Sequence, residues 1–280
     1  IVKIYDPAIE DTLTAITDSE GRYRIDGMHP VYKTIMIIED PSGRFHRRVI
    51  ETTGEYVKNN GDEFDWILLS KEDVNIPVWM ITTDIDMEFL KKLIITDLNK
   101  APPGEYGFYV REPAETPFCN EEMVNELVEA IVSVLTDTIP KYTGGVYRFY
   151  VTEDSTNAFA DLKWEHDPPY NGAVYIHGHD KEGRVIGFTV YINDTYTYRL
   201  PEHLPITKRL LQQTVFKEVC TGVFDMCDVR NDTLWLDSMW NQSPYAHRYQ
   251  SNRFISERDE KAIGILTNLP NLWHCNVRGY

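Results

Sequence analysis

The chain lacks any apolar run near the roughly 20 residues that a bilayer-crossing helix needs. Its opening residues, Ile1-Val2-Lys3-Ile4-Tyr5-Asp6, carry neither a basic leader nor an apolar signal core, so no membrane span is expected. Also missing are the Gly-x-Gly-x-x-Gly turn, the Walker phosphate loop and the Gly-x-Ser-x-Gly nucleophile elbow, which removes nucleotide-binding and serine-hydrolase readings. Basic side chains are scarce. Lys and Arg number 28 against 44 Asp and Glu, and the resulting formal charge of −16 repels phosphate backbones. The densest basic cluster, Arg44-Phe45-His46-Arg47-Arg48, sits in a strand-like segment and reads as a solvated face, so no nucleic-acid partner is expected. Cysteine is sparse too: Cys119, Cys220, Cys227 and Cys275 include no Cys-x-x-Cys pair and are too few for a disulfide scaffold. On an unbroken helix Cys220 and Cys227 would stand about 10 Å apart, beyond bridging, and the spacing leaves the redox state open.

What remains is a globular composition, 42% hydrophobic and 12% aromatic over 280 residues. Enough apolar surface is available to offset the entropy of ordering, with room for about two domains. A start on Ile1 and not on Met reads as a fragment or a processed product. Three Asn-x-Ser/Thr sequons, at Asn193, Asn231 and Asn241, suit a secreted protein, although chance supplies about one or two in a chain this long.

Two regions differ in grain. Residues 1–74 read as short strands: Thr12–Thr17 alternates, Asp18-Ser19-Glu20-Gly21 is a turn, Arg22–Asp26 alternates again, and Val31–Ile38, Phe45–Ile50 and Phe64–Leu69 continue the pattern of a small β-sandwich. Residues 75–280 read as α/β. Ile76–Thr82 is a strand and Asp84 caps a helix reaching Leu98. Asn120 caps a longer one whose stripe is Met123, Leu127, Ala130, Ile131, Val134 and Leu135, closed by Pro140. Strands are expected at Gly107–Val110, Val146–Thr152, Ala173–Ile176 and Val185–Ile192, the last two joined by the Asp180–Gly183 turn. A helix follows over Leu204–Phe224 with Leu204, Leu211, Val215, Val219 and Val223 on one face.

Thr17-Asp18-Ser19-Glu20-Gly21-Arg22-Tyr23, with Ile25 and Gly27, resembles the signature hairpin of carboxypeptidase regulatory-like, prealbumin-like domains, which implies a non-catalytic module of secreted or cell-surface proteins. Phe216-Lys217-Glu218-Val219-Cys220-Thr221 resembles the zinc-binding helix of metzincin-type metallopeptidases with its ligands replaced. In that family the His-Glu-x-x-His spacing sets two imidazoles on one helix face for one metal, and the glutamate acts on metal-bound water. By position, Lys217 and Thr221 stand at the two histidines, Cys227 or Asp228 near the third ligand, and only Glu218, the base, matches. The flanks extend the likeness. Asp237-Ser238-Met239-Trp240-Asn241 looks like the Met-turn, with Met239 as its methionine, and Ile255–Ile263 resembles the closing helix, with Ser256 and Asp259 as a capping box. The resemblance implies a zincin-like α/β domain of a mixed twisted sheet, two long helices and a C-terminal helix. An ammonium at Lys217 in a histidine's place implies a pseudo-metallopeptidase without zinc. Lys217 either pairs with Glu218 or Asp228 or points to solvent.

Other residues offer rival chemistry. His177 and His179 alternate on a strand with His166 and Asp167 nearby, a candidate relocated zinc site; the pair His274 and Cys275 is a weaker one. Trp235, Trp240, Tyr245 and Tyr249 cluster around the Met-turn and either line a cleft or fill the core. The expected function is therefore a catalytically inactive, extracellular binding or assembly module for a peptide, glycan or protein. An active zinc enzyme with non-standard ligands and a structural subunit of a surface assembly remain as alternatives.

Overall fold

A computed structural model describes residues 1–29, 33–53, 56–58, 64–66, 82–94, 97–198, 201–229, 234–235, 237–241, 254–269 and 273–274. The expected strand at Ile76–Thr82 therefore falls, but for Thr82, outside the described residues, as do Tyr245, Tyr249, Asn231, Cys275 and the expected boundary at residue 74. The architecture is mixed α and β, divided into two compact units, one over Ile1–Ile85 and one over Asp86–Cys275.

The first unit is β-structured. Strands β1 (Val2–Asp6), β2 (Asp11–Ala15), β3 (Lys33–Ile38) and β4 (Arg48–Thr53) form one antiparallel sheet in the order β2-β1-β3-β4, and β5 (Tyr56–Lys58) pairs with β6 (Phe64–Trp66). Alternation puts Val2, Ile4, Met36 and Ile38 on the buried face. The segment Arg22–Asp26, expected as a strand, is irregular. Its Tyr23 and Ile25 still pack on that face, with Leu13 and Met28 beside them.

The second unit carries a five-stranded sheet in the order β11-β12-β10-β8-β9, built from β8 (Gly104–Val110), β9 (Tyr147–Val151), β10 (Ala160–Glu165), β11 (Gly172–Ile176) and β12 (Phe188–Asn193). The pairs β8–β9, β8–β10 and β10–β12 are parallel, and β11 closes one edge antiparallel to β12. The Asp180–Gly183 turn does join β11 to β12, with Gly183 at a φ of 69°. Val185, expected to open that strand, stays outside β12 and is held by a bridge to His179, while β10, with its Ala160, Leu162, Trp164 alternation, is not among the expected strands.

Helix boundaries moved for identifiable reasons. The cap of α1 (Met87–Leu93) is Asp86 and not Asp84, because the Asp86 carboxylate accepts the Phe89 N–H. Asp97–Leu98, expected at the end of that helix, instead forms β7 and pairs with β13 (Trp273–His274). Helix α2 (Glu121–Ser133) is capped by Asn120 as expected, but its buried stripe runs through Val124, Leu127, Ala130 and Ile131, and Met123 is half-buried. Pro140 does not close the element. A π-helical turn over Val134–Thr138 shifts the hydrogen-bond register and the helix continues through α3 (Ile139–Tyr142). Helix α4 (Leu204–Phe224) and α5 (Glu257–Asn268) complete the unit.

Candidate functional site

Helix α4 lies against the sheet through its C-terminal half, where Phe216, Val219, Cys220, Val223 and Phe224 are all buried. Gly222 makes this approach possible, since a Cβ there would stand 2.6 Å from the Phe188 ring of β12. Gly172 does the same at the edge strand: a Cβ would meet Thr214 at 2.5 Å and Glu218 at 3.1 Å. The start of β11 is thereby laid directly over the turn of α4 that carries Glu218. An open cleft of about 1660 Å³ runs along this face, walled by Pro168–Gly172 on one side and by Asp237, Met239 and Phe254–Glu257 on another.

Lys217 and Glu218 line the cleft. The Lys217 ammonium lies 2.9 Å from Asp228 Oδ1 and 3.4 Å from Glu218 Oε1, so of the two orientations open to it the paired one is adopted. Burial alone would lower the Lys217 pKa, but the two carboxylates outweigh it and raise the value, which keeps the side chain charged. Glu218 is only 4% exposed, and burial, abetted by the charge of Asp228, raises its pKa against the opposing pull of Lys217. The Lys217 ammonium thus contacts both carboxylates. Thr221 is buried and fully used: its hydroxyl donates to Lys217 O at 2.9 Å and accepts the Trp240 indole N–H at 3.1 Å.

Beyond α4 the chain reverses at Asp225, which adopts the left-handed conformation at a φ of 48°. Cys227 is half-buried and its N–H donates to Leu93 O. The turn Asp237–Asn241 is fastened to α5 by one carboxylate. Asp259 accepts from the Ser238 hydroxyl at 2.6 Å, the Met239 N–H at 3.0 Å and the Ser256 hydroxyl at 2.8 Å. Ser256 Oγ in return accepts the Asp259 N–H, completing the expected cap. Burial pushes the Asp259 pKa up to about 6. This second fastening of the turn was not read from the sequence, where Asp259 figured only as a cap. Its signal was a carboxylate following an N-cap serine at the spacing that turns it inward.

The remaining candidates separate. Trp240 is fully buried and Trp235 is 6% exposed, packed on Phe89 with its indole donating to Asp86, so neither lines the cleft. Burial follows from those polar partners, which let an indole enter the core with its N–H satisfied. His177 bonds Thr189, His179 bonds Asp225, and His166 bonds Asp194, each with a different partner. Among the described residues no group of three His, Cys, Asp or Glu side chains is arranged to hold a metal ion. Cys119 and Cys220 are free thiols. Of the sequon asparagines, Asn193 and Asn241 are buried, the former donating to Pro168 O and Tyr170 O, so their amides are not presented to solvent. Among the described residues no helix is long and apolar enough to cross a membrane. No family model matches the chain, and no curated protein matches it either.

Proposed function

We propose that residues 86–275 are a zincin-like domain whose metal positions have been replaced, and that the domain binds an extended peptide along the cleft over α4. The observation that carries this reading is the Lys217 ammonium lodged between Glu218 and Asp228 on the cleft floor. A hydrolytic zinc site takes about three protein ligands and an open position. The residues here do not fit that group: a charged lysine has no lone pair, the Thr221 hydroxyl is engaged by an indole, and Glu218 is already paired. Further support comes from the order of elements, a mixed sheet, two long helices, a turn bearing Met239 and a capped C-terminal helix, which matches the resemblance in the sequence.

The peptide reading rests on the edge strand. Among the described residues β11 pairs only with β12, and its first residue, Gly172, lines the cleft, so an added chain entering there can extend the sheet along the outer edge of β11. The first unit, an antiparallel sheet with a Gly21 turn, is proposed as the prealbumin-like module, and an extracellular placement rests on that likeness alone. The test is metal analysis of the purified protein together with a peptidase assay. Bound zinc well below one equivalent and no hydrolysis are expected. Stoichiometric zinc with activity that Glu218→Gln abolishes overturns the proposal.

A further inference from the structure

Among the described residues the charged side chains that line the cleft are Arg209, Lys217, Glu218, Asp237, Glu257 and Asp259. Five of them are answered within the protein. Lys217 and Glu218 pair with each other, Asp237 lies 3.4 Å from the Arg258 guanidinium, Glu257 lies 3.3 Å from Lys261, and Asp259 is held by two hydroxyls and an amide. Arg209 is the exception. Among the described residues it makes no hydrogen bond and no ion pair, although its side chain is partly sheltered in the wall of the cleft. It sits eight residues before Lys217 on α4, about 12 Å along the axis at 1.5 Å per residue. Ile206 and Leu210 flank it, 59% and 36% exposed, an apolar pair with open surface beside an unanswered guanidinium.

We infer that Arg209 is the specificity-determining residue of the cleft: it takes a carboxylate of the bound peptide, next to an aliphatic or aromatic side chain seated on Ile206 and Leu210. The inference rests on the peptide reading proposed above. A guanidinium presents a planar fork that matches a carboxylate at two points, so a half-sheltered arginine discriminates acid from amide more sharply than a solvated lysine would. The chain as a whole carries a charge of −16, which disfavours acidic ligands at a distance, so selection for an acid has to come from this local contact. The carboxylate can belong to an Asp or Glu side chain or to a peptide's C-terminus, and the experiment separates the two.

The experiment selects a degenerate synthetic peptide library, once with free C-termini and once amidated, on the full chain and on Arg209→Gln. Arg209 is exposed enough for the glutamine variant to fold, which its thermal melt checks. On the wild type, Asp and Glu are expected to be enriched beside an apolar residue in both libraries, and the variant is expected to lose that enrichment. For the best peptide, replacing its acid by the amide should weaken binding about tenfold at low salt, a difference that shrinks as salt rises. Enrichment confined to the free-acid library would assign the contact to the C-terminal carboxylate. Peptides that bind with no acidic preference, or equally to both proteins, overturn the role of Arg209 and leave the peptide reading standing. Failure of any peptide to be retained by either protein overturns the peptide reading itself.

Discussion

Asp259 and Lys217 show how single side chains set the geometry of the cleft. The Asp259 carboxylate is buried and its pKa stands near 6 against the usual 3.8, because burial penalises the charged form more than its three donors favour it. A pKa raised on folding contributes stability that is complete below the unfolded value and is lost as pH rises through the folded one. The contribution available between pH 4 and pH 6 is on the order of 3 kcal/mol. Asp259→Asn keeps an acceptor for Met239 and Ser256 and turns a donor toward Ser238 Oγ. Urea unfolding of that variant should therefore lose this pH dependence and show unchanged or higher stability at pH 7. Asp259→Ala instead removes the acceptor that two hydroxyls and an amide share and should cost about 2–4 kcal/mol at every pH. Equal slopes for the asparagine variant and the wild type would refute the assignment. Lys217 works in the opposite sense. Its removal in Lys217→Met takes the ammonium away from the buried Glu218, and an expected loss of about 3–5 kcal/mol is checked in the same unfolding assay. Adding Glu218→Gln to that variant should recover part of the loss, since one buried charge then disappears.

The Asp-x-x-Gly-Arg turns illustrate which elements the sequence spells out. Asp18–Arg22, Asp40–Arg44 and Asp180–Arg184 share the pattern Asp-x-x-Gly-Arg and one construction. The Asp carboxylate accepts the N–H groups two and four residues on, the Gly N–H returns to the Asp carbonyl, and the Gly φ is 79°, 68° and 69° in turn. An Arg guanidinium then reaches back to each carboxylate. Everything such a turn needs lies within five residues, which is why Asp18–Gly21 and Asp180–Gly183 were legible without a structure. Asp180→Ala and Gly183→Ala should each cost about 1 kcal/mol, the first through lost caps and the second through backbone strain, measured by thermal melts. Long-range placement was less legible. Helix α4 was read over its full length from periodicity, but Gly222 gave no sign that it marks the contact with Phe188, since the partner lies on a strand far away in sequence. Gly222→Ala should cost about 1–3 kcal/mol through overpacking against that ring. Asp84 and Asp86 compete for one cap with the same chemistry, and tertiary contacts decide: Asp86 also receives the Trp235 indole and pairs with Arg258. Position alone could place Lys217 and Glu218 at the site, whereas Arg209 is identified only by the partners that its neighbours have and it lacks.

For the molecule as a whole, the division of the core sets what each part can do alone. The first unit buries a small cluster, Val2, Ile4, Met36 and Ile38, with four partly covered neighbours. The second contains the five-stranded sheet and the helices around it, and among the described residues those that line the cleft, with the partners named for them, lie within Asp86–Cys275. A unit that holds its own core meets the main condition for independent folding. A chain beginning at Thr82, so that Asp86 keeps a peptide bond before it and can still cap α1, is therefore expected to fold by itself. Its melting temperature should agree with that of the transition assigned to the second unit in the full chain, and its selected peptides should be the same. Loss of helical circular dichroism in the shortened chain would show that the cleft depends on the first unit. Unchanged folding with altered peptide selection would show instead that the shortened chain lacks part of what selects the peptide.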